Sequence, residues 1–350
     1  MKTNLFYLIL FFLNIQTFGQ YNELIWSDEF DLDSIDAGKW NFEIGNGVSG
    51  WGNSESEYYT NRPVNAKIEN GKLIITAQLE NYGGFQYTSA RLQTKNKGHW
   101  KYGRIEMMAK LPRGKGTWPA FWMMPQQQTY GTNLWPDNGE IDIMEYVGYI
   151  PGVIYGTVHT NKNHGANGVS KSVSYSGIEN DFHKFAIEWS PDTIKWFVDS
   201  IEYATYLRSF RNWQYWPFDM DFYIIINLAI GGNWGGTQGI DNAIFPQTYE
   251  IEYIRVYQTL TADIIVNNWD SGHIYVSPNP VKDKLKIYVK DDKASATKIS
   301  VYDLNGNMIV SPLPCKSQHT DIDFSKLMSG VYIVLFQNNE QQRSYKIIKL

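Results

Sequence analysis

The fold of this 350-residue chain is constrained most by a succession of short segments that alternate or run apolar, separated by Gly, Asn, Asp and Pro. Segments of this length suit strands better than helices, and the residues between them favour turns. They cover residues 71–79, 102–111, 152–160, 183–190, 193–200, 221–230 and 249–258. The pattern predicts an all-β protein in which residues 21–258 form a large sandwich of two sheets.

A second β pattern follows a polar stretch that contains Pro and has no clear period. Its segments lie at 284–290, 298–310 and 330–350, with a turn expected at Asn305 and Gly306. We therefore predict a linker over 259–272 and a small β-sandwich domain over 273–350.

The first 19 residues have the composition of a secretory signal peptide. Lys2 precedes nine consecutive apolar residues, and small residues follow near Gly19. No segment of the chain reaches the roughly 18 consecutive apolar residues that a transmembrane helix needs. We predict that residues 1–19 are removed on export; an N-terminal membrane anchor is the alternative.

Charge and aromatic content narrow the range of partners. Residues 1–262 carry 20 basic and 27 acidic residues, against 11 and 9 over 263–350, so the larger region is acidic and argues against nucleic acid or anionic membrane as partner. Twelve of the 13 Trp precede residue 263, and Trp either fills a core or stacks on sugar rings. Cys315 is the only cysteine, which excludes an intrachain disulfide. Nothing indicates an oligomer, so we expect a monomer.

The segment GEIDIMEYVG holds three carboxylates within ten residues, and no basic side chain. In a strand, Glu140 and Asp142 share one face because side chains alternate. Glu145 then falls on the opposite face. A β-bulge near Ile143 and Met144 would return it to the face of its two partners.

Three carboxylates on one sheet face repel each other, so structural needs alone do not account for them. A carboxylate beside a carboxylic acid is what a glycosidase requires, and a retaining glycosidase needs the two about 5 Å apart. A calcium site and a solvated acidic face are the alternatives.

The same residues carry a resemblance to a known family. GEIDIMEYVG and GTWPAFWMMP (116–125) resemble the signature of glycoside hydrolase family sixteen in its bulged form. Further matching motifs, in family order, are WSDEFD (26–31), GWGNSESEYYT (50–60), SARLQTK (89–95), YGRIEMMAKLP (102–112), GTVHT (156–160), NLAIGGNWGG (227–236) and YIRVYQ (253–258). The resemblance implies a β-jelly-roll of two antiparallel sheets, a glycan cleft on the concave sheet, and retaining hydrolysis.

Site roles are implied by position within that family. Glu140 would be the nucleophile, Asp142 the residue that orients it and tunes the pair, and Glu145 the acid/base. No cofactor would be required for catalysis. Seven residues match positions that bind substrate: Asn53, Glu55, Arg91, Trp118, Trp122, His159 and Trp234. For His159, a hydrogen-bonded core histidine is the alternative.

Many family members also carry a structural calcium on the convex face. Glu29, the backbone of Gly71 and Glu252 occupy matching positions, although Glu252 stands where Asp is more usual. Calcium prefers six to eight oxygens, so water would complete the shell. We expect this ion to be structural and optional.

The motifs GWGN, GTWPAFWM and GGNWGG resemble those of laminarinase-like members. We therefore expect endo-hydrolysis of β-1,3-glucan, with mixed-linkage β-1,3-1,4-glucan as a second candidate substrate. The alternatives are a glucan-recognition protein without activity and a hydrolase of agar or carrageenan. An acidic region suits a neutral glucan better than a sulfated galactan.

The C-terminal region resembles the sorting domain of the type nine secretion system, through VSPNPVKDKLKI, VYDLNGNMI and LMSGVYIVLFQNN. That resemblance implies export across the outer membrane of a Gram-negative cell, with release or attachment at the surface. A carbohydrate-binding sandwich is the alternative. The scarcity of aromatic residues argues against it, because the nearest Trp, Trp269, lies in the predicted linker.

Overall fold

The computed structural model describes residues 21, 23–259, 274–289, 298–303, 306–314, 320–337 and 342–350. The predicted signal peptide, nearly all of the predicted linker with Trp269, and the residues Asn305 and Cys315 lie outside these ranges. The chain divides into two compact units after Thr259.

The first unit consists mainly of strands, as predicted. They are β1 (Glu23–Asp28), β2 (Asn41–Glu43), β3 (Glu57–Tyr59), β4 (Ala66–Ile68), β5 (Leu73–Tyr82), β6 (Phe85–Ser89), β7 (Arg91–Gln93), β8 (His99–Trp100), β9 (Gly103–Lys110), β10 (Thr117–Pro125), β11 (Glu140–Glu145), β12 (Val153–His159), β13 (Val169–Ser174), β14 (His183–Trp189), β15 (Thr193–Val198), β16 (Ile201–Leu207), β17 (Phe222–Ile230) and β18 (Gln247–Gln258). Short helical turns occupy Gly50–Ser54, Gly165–Asn167 and Asn242–Ile244. Each of the seven segments predicted from the sequence overlaps one of these strands; β5 continues past residue 79, and β18 begins before residue 249.

These strands form two sheets. Ten strands make the first sheet, in the order β16-β15-β14-β9-β18-β5-β6-β3, with β1 also paired to β18 and β4 to β5. Eight strands make the second, in the order β13-β12-β11-β10-β17-β7-β2, with β8 also paired to β17. Neighbouring strands are antiparallel apart from β3 and β6, which are parallel.

The core of this unit joins side chains from both sheets. Alternate residues of β9, such as Ile105 and Met107, pack in one cluster with Ile141 and Met144 of β11. Burying one such side chain stabilises a fold by about 1.5–3 kcal/mol. Because this core takes one face of the eight-stranded sheet, the opposite face can hold polar side chains.

The second unit is also built from strands. They are β19 (Ile274–Ser277), β20 (Lys284–Val289), β21 (Lys298–Asp303), β22 (Met308–Pro314), β23 (Thr320–Asp323), β24 (Gly330–Gln337) and β25 (Gln342–Lys349). They form a three-stranded sheet, β19-β20-β23, and a four-stranded sheet, β22-β21-β24-β25. An apolar core of its own includes Leu285, Val301 and Phe336, in keeping with the predicted small β domain.

Helices play a minor part in this fold. In the described ranges of both units, no helix has the length and apolar character needed to cross a membrane.

Candidate active site

The register around β11 shows how three carboxylates come to share one face. From Asp142 to Glu145, β11 advances three residues while β12 advances two, so β11 contains one extra residue. The pairing with β10 is interrupted at the same place, between Phe121 and Trp122. This is the β-bulge that the sequence predicted. Opposite Glu140, Asp142 and Glu145 stand the alternate β12 residues His159, Thr157 and Tyr155.

The bulge therefore places all three carboxylates on the side of the eight-stranded sheet that faces away from the core. We call this side the site face and define it by Glu140, Asp142 and Glu145.

Two glycines allow the backbone to adopt this arrangement. Gly139 has φ +81°, and a Cβ there would lie 2.8 Å from the ring of Phe218, so only glycine fits before Glu140. Gly156 gives room to Trp196, whose ring would lie 2.3 Å from a Cβ at that position. The Trp196 indole nitrogen donates a hydrogen bond to the main-chain oxygen of Asp142 at 2.8 Å. This bond supports the backbone where the bulge disturbs the regular ladder.

Glu140 is held by a tryptophan from the loop before β11. The Trp135 indole nitrogen donates to Oε2 of Glu140 at 2.6 Å, and 40 % of Trp135 is exposed. Burial raises the pKa of Glu140, and the charge of Glu145 adds to this effect. The positive charge of His159 and the bonds from Asp142 and Trp135 act in the opposite direction and favour the carboxylate.

Asp142 and His159 form a buried ion pair, with 3.2 Å between Oδ2 and Nε2. Burial, followed by the charge of Glu140, raises the pKa of Asp142 to about 7, although its bond to His159 acts against this. Burial alone would lower the pKa of His159, but its bond and charge interaction with Asp142 raise it to about 10. At neutral pH His159 is therefore a cation beside the carboxylates.

Glu145 has the environment of an acid that keeps its proton. Burial, followed by the charge of Asp142, raises the pKa of Glu145 to about 8. The opposing influences are His159 and hydrogen bonds, one of them from the Trp118 indole nitrogen to Oε1 at 3.1 Å. At neutral pH Glu145 thus carries a proton that it can donate.

Aromatic rings lie beside Glu145. The rings of Trp118 and Trp234 meet edge to face with centroids 5.5 Å apart, and Tyr155 meets Trp234 in the same way at 4.9 Å. All three side chains are partly exposed. Partly exposed indole rings offer flat apolar surfaces on which a sugar ring can stack.

A chain of hydrogen bonds runs along the site face from β10 to the turn at 50–54. Trp122 donates to Asn227 at 2.8 Å, and Asn227 donates to the Tyr59 hydroxyl at 3.1 Å. The same hydroxyl donates to Oε2 of Glu55 at 3.0 Å, and Asn53 donates to Oε1 at 3.3 Å. These hydrogen bonds hold the Glu55 carboxylate in position, and Glu55 is almost completely buried.

Arg91 is fixed from three sides. Its guanidinium lies 4.5 Å from the ring centroid of Trp51 and 4.8 Å from that of Trp122, and its Nε donates to the carboxylate of Glu43. The charge of Arg91 is therefore balanced within the protein, and only 8 % of the residue is exposed.

The structure brings the ten predicted catalytic and substrate-binding residues into one connected region, since Trp122 pairs in register with Asp142. Sequence reasoning missed five residues that complete it: Glu43, Trp51, Tyr59, Trp135 and Asn227. Asn227 carried a usable signal, because it interrupts the otherwise apolar strand FYIIINLAI. Trp135 stands only five residues before Glu140 in the sequence.

Two groups of residues in the first unit carry side-chain atoms that could ligate a metal ion. Ligand atoms of Glu140, Asp142 and His159 lie within 4.8 Å of one another. Nε2 of His159 already lies 3.2 Å from Oδ2 of Asp142, so an ion at this place would have to displace that pair.

The predicted calcium ligands fit such an ion only in part. Both carboxylate oxygens of Glu29 accept hydrogen bonds from Arg255, at 2.9 and 2.8 Å, and this pairing lowers the pKa of Glu29. Glu252 lies at an irregularity of β18, and Gly71 has φ +70°. A cation would therefore depend on main-chain oxygens and on Glu252, since the Glu29 carboxylate is already engaged.

Comparison with known proteins places this site in a family. Residues 51–255 match the model of glycosyl hydrolases family 16. The chain belongs to that family. Residues 273–350 match the secretion system C-terminal sorting domain, which is the second unit described above.

Relatives of the family 16 unit include enzymes that act on β-glucans. A beta-glucanase of Rhodothermus marinus is 48% identical over 245 residues, which cover 67% of this chain and 85% of the relative. A glucan endo-1,3-beta-glucosidase of Cryptopygus antarcticus is 43% identical, with 66% and 90% covered. The crystal structure of a laminarinase from Flavobacterium sp. UMI-01 is similar with a TM-score of 0.63 and 47% identity, covering 67% of this chain and 100% of that one.

Proposed function

We propose that this family 16 enzyme hydrolyses internal β-1,3 bonds of glucan and retains the configuration at the anomeric carbon. The observation that carries the proposal is the bulged strand β11, which places Glu140, Asp142 and Glu145 on one face; burial also raises the pKa of Glu145 to about 8. The named activities of the relatives, a beta-glucanase and a glucan endo-1,3-beta-glucosidase, support the same substrate class.

In this proposal the reaction proceeds in two displacements. Glu140 attacks the anomeric carbon and forms a glycosyl ester, while Glu145 gives its proton to the departing sugar oxygen. Glu145, now a carboxylate, then takes a proton from water as the water oxygen attacks the anomeric carbon and releases Glu140. Asp142 lies between Glu140 and Glu145 on β11. Its ion pair with His159 keeps a positive charge beside the negative charge that develops on Glu145 as the proton leaves.

The surroundings favour a neutral glucan as substrate. Trp118, Trp122 and Trp234 offer partly exposed rings, and the half-buried Asn53 offers its amide to sugar hydroxyls, while the almost completely buried Glu55 holds that amide in place. Arg91 carries a permanent positive charge, but the carboxylate of Glu43 already balances that charge. A sulfated galactan would need cationic groups that are free to bind sulfate. Mixed-linkage β-1,3-1,4-glucan is a second candidate substrate.

For the second unit we propose export by the type nine secretion system across the outer membrane of a Gram-negative cell. The matched sorting domain supports this proposal. We also propose that the enzyme acts as a monomer, either released from the cell or attached to its surface.

The test of the proposed function is to incubate the purified full chain separately with laminarin, mixed-linkage glucan, agarose and carrageenan and to follow reducing ends. We expect laminarin to be cleaved fastest, with oligosaccharides of mixed size as early products. Proton NMR of the first products should show the β-anomer. Early α-anomer would contradict the double displacement, and cleavage of agarose or carrageenan alone would indicate a galactan hydrolase. If no polysaccharide is cut but laminarin binds, the protein is a recognition protein.

A further inference from the structure

The loop from 126 to 139 joins β10 to β11 and carries Trp135, yet it contains no regular helix or strand. Asp137, Asn138 and Gly139 are its buried residues, and Asn138, two positions before Glu140, has no exposed surface. The side-chain oxygen of Asn138 accepts hydrogen bonds from the main-chain nitrogens of Thr129 and Tyr130, at 2.6 and 2.7 Å.

The amide nitrogen of Asn138 is engaged just as fully. It donates to the main-chain oxygens of Tyr130 and Asn133, each at 2.9 Å, and lies 3.2 Å from that of Leu134. These contacts fix which side of the amide is oxygen, because the oxygen faces N–H donors and the nitrogen faces carbonyl acceptors. One side chain thus closes the loop over nine residues.

Asp137 strengthens the same closure. Its Oδ2 accepts from the main-chain nitrogens of Thr132 and Asn133, at 3.0 and 3.1 Å. Its Oδ1 accepts from the side chain of Asn161 at 2.7 Å, which ties the loop to the turn after β12.

Trp135 lies inside the loop that these hydrogen bonds close. Trp135 is 40 % exposed, and its ring is tilted against that of His159 with centroids 6.2 Å apart and meets His164 edge to face at 5.4 Å. A side chain exposed to this extent relies on its backbone for part of its orientation. Its indole nitrogen nevertheless lies 2.6 Å from Oε2 of Glu140.

We propose that Asn138 is a positioning residue of this active site. Its buried amide fixes the loop 129–137 so that the indole N–H of Trp135 meets Glu140 before substrate arrives. The inference rests on the proposed function only in taking Glu140 as the nucleophile. Without the indole bond, the Glu140 carboxylate loses a donor that favours its ionised form.

The experiment compares four forms of the full-length chain: wild type, Asn138→Asp, Trp135→Phe and the double variant. Asn138→Asp keeps the size of the side chain but turns an oxygen toward three carbonyl oxygens. Trp135→Phe keeps an aromatic ring and removes the N–H. We expect each single change to lower kcat/KM for laminarin by about 10- to 100-fold, the usual cost of one hydrogen bond to a charged group. Each should also move the acidic limb of the kcat/KM profile to higher pH.

The double variant distinguishes positioning from general damage. If Asn138 acts through Trp135, the double variant should be no slower than the slower single variant. Asn65→Asp is the matched control, since Asn65 is also fully buried and its amide nitrogen donates to Thr76 and Thr88. It should lower the melting temperature without moving the acidic limb. If Asn138→Asp fails to fold, Asn138→Ser gives the same comparison.

A readout that does not require activity separates this inference from the proposed function. The indole ¹⁵N–¹H resonance of Trp135, identified by its loss in Trp135→Phe, should move upfield in Asn138→Asp and stay in place in Asn65→Asp. The inference is overturned if the resonance and the acidic limb are unchanged in Asn138→Asp, or if the two single effects multiply in the double variant. An inactive wild type with the expected resonance shift would refute the proposed function alone.

Discussion

Strand β11 buries side chains on both of its faces, but with opposite energetic results. On the core face, Ile141, Ile143 and Met144 are at most 1 % exposed, and their burial stabilises the fold. On the site face, Asp142 is 2 % exposed, and burial raises its pKa and that of Glu145. The comparison shows that one strand can serve as core on one side and as reactive surface on the other, because a single bulge decides which side Glu145 occupies.

The sign of the effect on stability follows from these pKa shifts. An acid whose pKa is raised by folding binds its proton more tightly when folded, so stability falls as pH rises from the unfolded pKa to the folded one. For Asp142 and Glu145 this loss runs from about pH 4 up to about 7 and 8. His159 contributes in the opposite sense: its stabilisation is complete below about pH 6.5 and is lost through about pH 10. The site face therefore costs stability at neutral pH for the sake of reactivity.

The largest expected effect is on the site face. Glu140→Gln should lower turnover of laminarin by more than about 10⁴-fold, the upper range for loss of an acid or base group, because the covalent step itself is removed. Folding and glucan binding should remain close to wild type, as measured by circular dichroism and by affinity electrophoresis. In Glu140→Ala, azide should restore activity and yield an α-glycosyl azide, since the small anion takes the place of the carboxylate. Undiminished turnover in Glu140→Gln would contradict the assignment.

The next effect is on the core face of the same strand. Ile141→Ala should lower the free energy of unfolding by about 2–5 kcal/mol, because it leaves a cavity between the sheets. The limbs of the pH–activity profile should keep their positions, because Ile141 lies on the core face and its replacement by Ala changes no charge. Urea denaturation and pH–rate measurements together test this. A shift of either limb would show that the two faces are coupled through the strand.

How much of this could be read from the sequence depends on the distance between the partners. Side chains alternate between the two faces of a strand, so the shared face of Glu140 and Asp142 and the need for a bulge before Glu145 were predictable from the sequence of β11. The bond between Asn227 and Tyr59 joins residues 168 positions apart, and no local pattern reveals it. The position of Trp135 depends on amide bonds made by Asn138, and a loop without a period gives no such signal. The parallel pairing of β3 with β6 was likewise not predicted.

Glu57 extends the comparison to a second buried acid, with a smaller effect. It is fully buried, its Oε2 accepts from the main-chain nitrogen of Ile230 at 2.6 Å, and its Oε1 has no partner among the described residues. Burial, followed by the charge of Glu55, raises the pKa of Glu57 well above its usual value. Glu57→Gln should therefore stabilise the protein at pH 7 by at least about 1 kcal/mol, because folding no longer requires the side chain to take up a proton, and one pKa unit corresponds to about 1.4 kcal/mol.

The gain from Glu57→Gln should shrink toward pH 4, where the unfolded chain also protonates Glu57. Thermal denaturation of both forms at pH 4 and pH 7 measures this. An equal difference at both pH values would mean that Glu57 is not held as a neutral acid.

Calcium is expected to have a slight effect on stability and none on the site face. We propose that an ion binds near Gly71 and Glu252 through main-chain oxygens, one carboxylate and water, because the Glu29 carboxylate is held by Arg255. Chelation should then lower the melting temperature by a few degrees while kcat stays constant. Purified protein that contains no calcium and gains no stability from added calcium would refute this proposal.

The smallest change we predict is a displacement of one limb of the pH profile by a single hydrogen bond. The Trp118 indole bond to Oε1 of Glu145 lowers the pKa of Glu145 and so opposes the effect of burial. Trp118→Phe keeps a ring beside Trp234 but removes this donor, so the pKa of Glu145 should rise and the basic limb of kcat/KM should move to higher pH. Because the first displacement needs Glu145 protonated, activity should persist at pH values where the wild type loses it. Trp234→Phe is the control, since Trp234 has no hydrogen bond to Glu145 in the structure; it should raise KM and leave the limb in place. A basic limb that moves to lower pH in Trp118→Phe would mean that the proton on Glu145 is controlled from elsewhere on the site face.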